Sequence, residues 1–258
     1  MVSWCDFALT PNCDASDDGA SVHPTWSQTQ NNKKLKMMIL YSAALSMFGA
    51  KVQIALIEKG IDFQLVMVPY DRDRGYEPRH PEVLRVNPKR QVPVLIDGDV
   101  EIFDSTQIFE YLEDVQPAPP LWPREPAARA AARLLEVKSD EVYFPHVIQL
   151  MGLQDRPDDP AAVAARDGAS RYYLEMDALL VDREWLAGDY TFADIAFYMA
   201  ALFGERMGAV LGQETPRLLA WRERMTLRPA VMPVVTAMAH YLSSQGRPVP
   251  GWLDAAVR

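Results

Sequence analysis

Asn87-Pro88-Lys89-Arg90-Gln91-Val92-Pro93-Val94-Leu95, followed by Asp104-Ser105, is the pivot of this 258-residue chain. Proline has no amide hydrogen, so on its own Val92-Pro93 reads as an ordinary strand start. Val92 to Ile96 and Val100 to Phe103 then flank Asp97-Gly98, a two-residue hairpin signal. Asp104 with Gln107 three residues on makes a capping-box-like helix start, and Ile108, Leu112 and Val115 continue its apolar stripe. Upstream, Met38 to Tyr41 is a short apolar strand, and Phe48 to Lys59 is a largely buried helix stopped by Gly60. Phe63 to Val68 is a second strand, and a crossover of this length implies parallel pairing. A polar loop from Asp71 to Pro81 leads to a short helix near Glu82–Val86.

The resulting order, βαβ then αββα, is a thioredoxin-like arrangement over residues 37–116. Residues 117–126 are proline-rich and read as a stiff linker. Beyond it, strand signals stop and residues 127–258 read as all-helical, so the fold class is α/β followed by all-α. Pro126 opens a long helix to about Leu150, kinked at Pro145. Asp159-Pro160 opens another that runs to near Gly188, and helices follow over Pro216–Leu227 and Pro229–Leu242. Thr191-Phe192-Ala193-Asp194 supplies a cap hydroxyl and a reciprocating carboxylate. Residues 1–36 are acidic and aperiodic and read as a disordered leader, with Met37-Met38 offering an alternative start.

A hydrophobic fraction of 49% suffices for buried cores in both lobes. The formal net charge of −9 argues against nucleic acid and anionic membrane as partners, and no apolar run is long enough to span a bilayer. The two cysteines, Cys5 and Cys13, lie in the leader, so neither lobe carries a thiol for disulfide exchange. His23, His80, His146 and His240 have no ligand spacing, and no metal is expected.

Together, the Val92-Pro93 and Asp104-Ser105 motifs and the run Ser46-Met47-Phe48-Gly49-Ala50-Lys51-Val52-Gln53-Ile54-Ala55-Leu56 resemble the cytosolic glutathione transferases, and among them the serine-type, bacterial-like members. The resemblance covers about residues 38–240, including the Thr191-x-x-Asp194 box. It implies a cis peptide before Pro93, which turns the amide and carbonyl of Val92 outward as a short strand edge. An extended tripeptide pairs with such an edge as an added strand. Asp104 suits the γ-glutamyl amine of glutathione, where the family usually has Glu, and Ser105 at the helix N-terminus suits its carboxylate. Gln91 lies within reach of the glycyl end.

Glutathione reacts as its thiolate. A free thiol has a pKa of about 8.5, so lowering it by ~2 units takes about 2.7 kcal/mol of selective anion stabilisation. In the serine-type pattern the donor is Ser46, five positions before the basic residue Lys51. Met47 replaces the proline that often follows this serine; Tyr41 is the runner-up donor, and Ser42 is a third hydroxyl in the same turn. Met47, Phe48, Tyr143 and His146 are candidates for lining an electrophile pocket. The expectation is a cytoplasmic, homodimeric glutathione transferase acting on a small hydrophobic electrophile by conjugation or thiolytic displacement, with etherase, dehalogenase or isomerase variants using the same groups. The alternative is a non-catalytic binding or assembly protein that keeps the fold.

Overall fold

The computed structural model describes residues 37–70 and 79–257; the expected leader and most of the expected surface loop after Asp71 lie outside them. A four-stranded mixed sheet has the order β2-β1-β3-β4, with β1 Met38–Ser42, β2 Phe63–Met67, β3 Val94–Asp97 and β4 Val100–Phe103. β1 pairs parallel with β2 (Leu40 opposite Leu65) and antiparallel with β3 (Leu40 opposite Leu95), while β3 and β4 form the hairpin. Strand parity divides the core. Leu40 and Leu95 pack with helices α1 (Met47–Glu58) and α3 (Ser105–Val115) on one side, and Tyr41 and Val94 join Val83 of α2 (Pro81–Val86) in a separate cluster.

The hairpin differs by one residue from expectation. Asp97 pairs with Val100, so the loop is Gly98-Asp99; Gly98 takes the first loop position with φ +62°, which a side chain would disfavour. The segment 117–126 is pinned rather than merely spanning. Leu121 and Trp122 are buried, and the buried Lys59 ammonium donates to the carbonyls of Gln116 (2.7 Å) and Pro119 (3.1 Å) while pairing with Glu113.

The helical part comprises α4 (Pro126–Lys138), α5 (Phe144–Met151), α6 (Pro160–Leu179), α7 (Phe192–Arg206), α8 (Pro216–Thr226), α9 (Met232–Ser244) and α10 (Gly251–Val257). The expected kink at Pro145 is a π-helical turn, Ser139–Tyr143, between α4 and α5. Pro145 has no amide hydrogen for the carbonyl four residues back, and its ring crowds that carbonyl; the wider turn accommodates both. α6 stops at Leu179 instead of reaching Gly188, because the chain turns through Asp182 (φ +57°) and the Leu186 amide is taken by Asp194. The start of α9 shifts to Met232, with Pro233 rather than Pro229 in its first turn. The α10 segment has too little apolar periodicity to be legible beforehand.

α7 is buried from Phe192 to Gly204, as expected of a helix enclosed on all sides by α1, α4, α5 and α8. Its start is the Thr191–Asp194 capping box. Asp194 accepts from the Thr191 amide (3.0 Å) and hydroxyl (3.3 Å), the Leu186 amide (3.0 Å) and the Trp221 indole (2.9 Å). Burial still pushes its carboxyl up to about 6, against the pull of those donors. Asp194→Ala strands several buried donors at ~1–3 kcal/mol each, so a loss of about 3–5 kcal/mol in urea unfolding is expected. A loss below ~1 kcal/mol would show that water replaces the carboxylate.

Candidate functional site

Two cavities adjoin at Phe48 and Gln91, which line both. The smaller, about 240 Å³, is bounded by Val92-Pro93, Asp104-Ser105 and Asp140. The larger, about 690 Å³, is bounded by Ser46 and Met47, by Phe144 and Ile148 of α5, and by Phe203 and Arg206 at the end of α7.

In the smaller cavity the loop before β3 is shaped by Asn87. Its side chain donates to the Gln91 carbonyl (2.6 Å) and accepts from the Lys89 amide (2.9 Å), folding residues 87–91 into a tight turn with Arg90 at φ +58°. The Val92–Pro93 peptide is cis, and the Val92 main chain has no main-chain partner among the described residues. Across the cavity, Asp104 caps α3 from an unusual backbone conformation, φ +78°, a strain of roughly 1–3 kcal/mol that tends to persist at functional sites. Its Oδ1 accepts from the amides of Thr106 (3.0 Å) and Gln107 (3.3 Å). The Ser105 amide and hydroxyl remain without a hydrogen-bond partner among the described residues, two donors at a helix N-terminus beside the cavity.

Behind that corner lies a buried charge cluster. Lys51, fully enclosed, pairs with Asp140 on the π-helical turn and lies 4.0 Å from Glu136 of α4, which accepts from the Thr106 hydroxyl (2.9 Å). Burial pushes the Glu136 carboxyl up to about 7 and raises Asp140 as well, with Lys51 opposing both shifts.

Ser46 is the N-cap of α1, where its Oγ accepts from the Gly49 amide at 3.0 Å. That contact uses one lone pair, and the hydroxyl hydrogen stays available to donate. Tyr41 lies in the other core cluster, its ring 4.7 Å from His80, and burial raises its phenol. Ser42 is buried beneath α1, accepting from Gln53 (3.1 Å). Of the hydroxyls in this turn, the larger cavity is lined by Ser46 alone among the described residues.

Met47 and Phe48 line the larger cavity; Tyr143 and His146 do not. Tyr143 is enclosed against Tyr173 and Gly204, and His146 packs on Gly168 of α6. Sequence reasoning missed Asn87, the Glu136–Asp140 pair and Arg206. A lysine between Ala50 and Val52 on a buried helix was the legible signal for a hidden counter-charge. Among the described residues no group of three His, Cys, Asp or Glu side chains is placed to hold a metal ion.

Comparison with known proteins supplies the family. The family of glutathione S-transferase N-terminal domains matches residues 40–120, and that of the C-terminal domains matches residues 140–229. The chain belongs to the glutathione S-transferase family. It is 32% identical to glutathione S-transferase 3 of Zea mays over 213 residues, 77% of this chain and 93% of that protein. A glutathione S-transferase structure from Rhodospirillum rubrum F11 superposes with a TM-score of 0.67 at 31% identity, covering 78% of this chain and 92% of that one. Ure2p in complex with glutathione superposes with a TM-score of 0.68 at 25% identity, covering 78% and 93%.

The raised Glu136 carboxyl has a thermodynamic sign. Between its unfolded value near 4.5 and its folded value of about 7, the folded chain holds a proton that the unfolded chain releases. That contribution to stability is full below the lower value and is lost as pH rises through the upper one. Urea unfolding at pH 5.5 and pH 8 is expected to show Glu136→Gln flattening the fall by about 1–3 kcal/mol. Parallel profiles for the two proteins would place the titration elsewhere.

Proposed function

We propose that the protein is a glutathione transferase of the serine type. Glutathione lies along Val92 in the smaller cavity, with its γ-glutamyl carboxylate on the free donors of Ser105, its amine toward Asp104, and Gln91 near its glycyl end. Its sulfur reaches the larger cavity at Ser46. The observation that carries this reading is the Ser46 hydroxyl, held by the Gly49 amide with its hydrogen free, in the larger cavity and two residues from Phe48, which lines both cavities.

The chemistry follows from that placement. The hydroxyl donates to sulfur more strongly when sulfur is anionic, and the N-terminus of α1 favours the same charge, so both lower the thiol pKa. The thiol proton passes to solvent. The thiolate then forms a carbon–sulfur bond to the electrophile held in the larger cavity; in displacement the leaving group departs with its bonding pair, and in addition a proton from water completes the neighbouring carbon. Ether cleavage, dehalogenation and isomerisation begin with the same attack. Asp104, shorter than the usual Glu, is expected to meet the amine directly or through water. The reading extends to a cytoplasmic homodimer, and light scattering showing only monomer would remove the dimer from it.

Ser46→Ala is expected to lower turnover at least tenfold with glutathione affinity within about threefold of wild type, measured by steady-state kinetics and calorimetry. Ser105→Ala is expected to weaken glutathione binding about tenfold, equivalent to ~1.4 kcal/mol. Unchanged turnover in Ser46→Ala removes the serine from the mechanism. Wild-type protein that binds glutathione but forms no conjugate with several electrophiles is instead a binding or assembly protein.

A further inference from the structure

The larger cavity carries a charge that an apolar electrophile does not need. Arg206, in the last turn of α7, lines it, and the Nη1 of that guanidinium is buried with no hydrogen-bond partner among the described residues. Arg247 lines the same cavity, and no aspartate or glutamate does so among the described residues. The neighbouring carboxylate, Glu205, is committed elsewhere: it accepts from Arg222 at 2.7 and 2.9 Å and from the Trp252 indole at 3.2 Å. The guanidinium lies over the Phe203 ring, 4.8 Å from its centroid, a contact that orients the group without neutralising it.

A cation buried for structural reasons is paired with an anion, because an unpaired one loses its hydration for nothing in return. The C-terminus of α7 offers Arg206 a favourable dipole, but a screened, partial charge does not replace a counter-ion. Burial, and then repulsion from Arg247, pull the Arg206 pKa down to about 10, which is the mark of a charge still waiting for its partner. On a chain of net charge −9, two arginines lining a wall that among the described residues carries no carboxylate form a localised anion site.

We infer that the electrophile of this protein has an apolar body bearing a carboxylate, the body lying along Phe144 and Ile148 between Ser46 and Arg206, and the carboxylate on the Arg206–Arg247 pair. This rests on the transferase reading for the reacting partner, while the anion site itself stands on the geometry of the cavity. The planar fork of a guanidinium matches a carboxylate with two parallel hydrogen bonds, which sets orientation as well as affinity and so presents one carbon of the ligand to sulfur.

Calorimetry on the full chain saturated with glutathione would compare 2-naphthoate with 2-naphthamide, which share a ring system and differ in charge. The expected result is naphthoate binding at least tenfold tighter, with Arg206→Gln and Arg247→Gln each cutting that preference at least fivefold and leaving naphthamide within twofold. Because Arg206 is unpaired, Arg206→Gln is also expected to melt at or above the wild-type temperature, whereas a purely structural arginine would lower it. Should that variant fail to fold, the structural assignment of Arg206 prevails and the inference is overturned for that residue; Arg247→Gln then decides whether the cavity selects anions at all. Equal affinity for the two ligands, or a preference that survives both substitutions, overturns it. The binding measurement needs no turnover, so the two readings fail separately. Anion preference without conjugation sinks the transferase, and conjugation of 4-chloro-3-nitrobenzamide and 4-chloro-3-nitrobenzoate with equal KM sinks the anion site.

Discussion

An ammonium group enclosed in a dry core has to be neutralised there, and α1 with its C-terminal cap, Lys59, carries two of them. Lys51 finds Asp140 and Glu136 on the helical side of the molecule; Lys59 finds Glu113 and the carbonyls of Gln116 and Pro119. A third tie runs from Glu58 to Arg228 (2.7 Å) and the Tyr190 hydroxyl (2.9 Å). α1 therefore has no complete set of partners within the sheet lobe. Such pairs add little net stability over an apolar core of the same shape, but losing one partner costs roughly 3–5 kcal/mol. Their effect is to select one arrangement of helices around α1, and the cavities inherit that arrangement.

The π-helical turn that accommodates Pro145 also serves this demand. Asp140 sits within it, where it both meets Lys51 and lines the smaller cavity. The turn inserts one extra residue, which rotates everything after it by about 100° relative to an unbroken helix. Beyond it, Phe144 and Ile148 face the larger cavity, while Tyr143, within the turn, and His146 are taken into the packing against α7 and α6.

What was legible in the chain was what is local. The hairpin, the Asp104 cap, the Thr191–Asp194 box and the buried stripes of α1 and α3 all arise from residues within a few positions of each other, so period and turn chemistry find them. The stop of α6 at Leu179 was hidden because it depends on Asp194 drawing in the Leu186 amide, which no local propensity records. Arg206 was hidden for a similar reason. In sequence it follows Glu205 and looks neutralised, but Arg222 and Trp252 take that carboxylate from a distance.

The choice between Ser46 and Tyr41 as thiolate donor turns on field as well as position. Tyr41 lies on the sheet face away from α1 and lines neither cavity; burial, and then Glu82 against the opposing pull of Arg85, raise its phenol. Ser46 lies at the positive end of α1, whose first turn contains no acidic residue, in a cavity whose charged side chains among the described residues are both arginines. The acids of the site, Asp104, Asp140 and Glu141, line the smaller cavity beside Lys89, and with Asp140 paired to Lys51 it is Asp104 and Glu141 that would receive the ammonium of a γ-glutamyl group. Charge is thus sorted along the length of the proposed ligand. On the proposed reading, an anion at the sulfur end would be favoured at the N-terminus of α1 beside Ser46 and disfavoured beside Asp104 and Glu141, which would orient the tripeptide before any electrophile arrives.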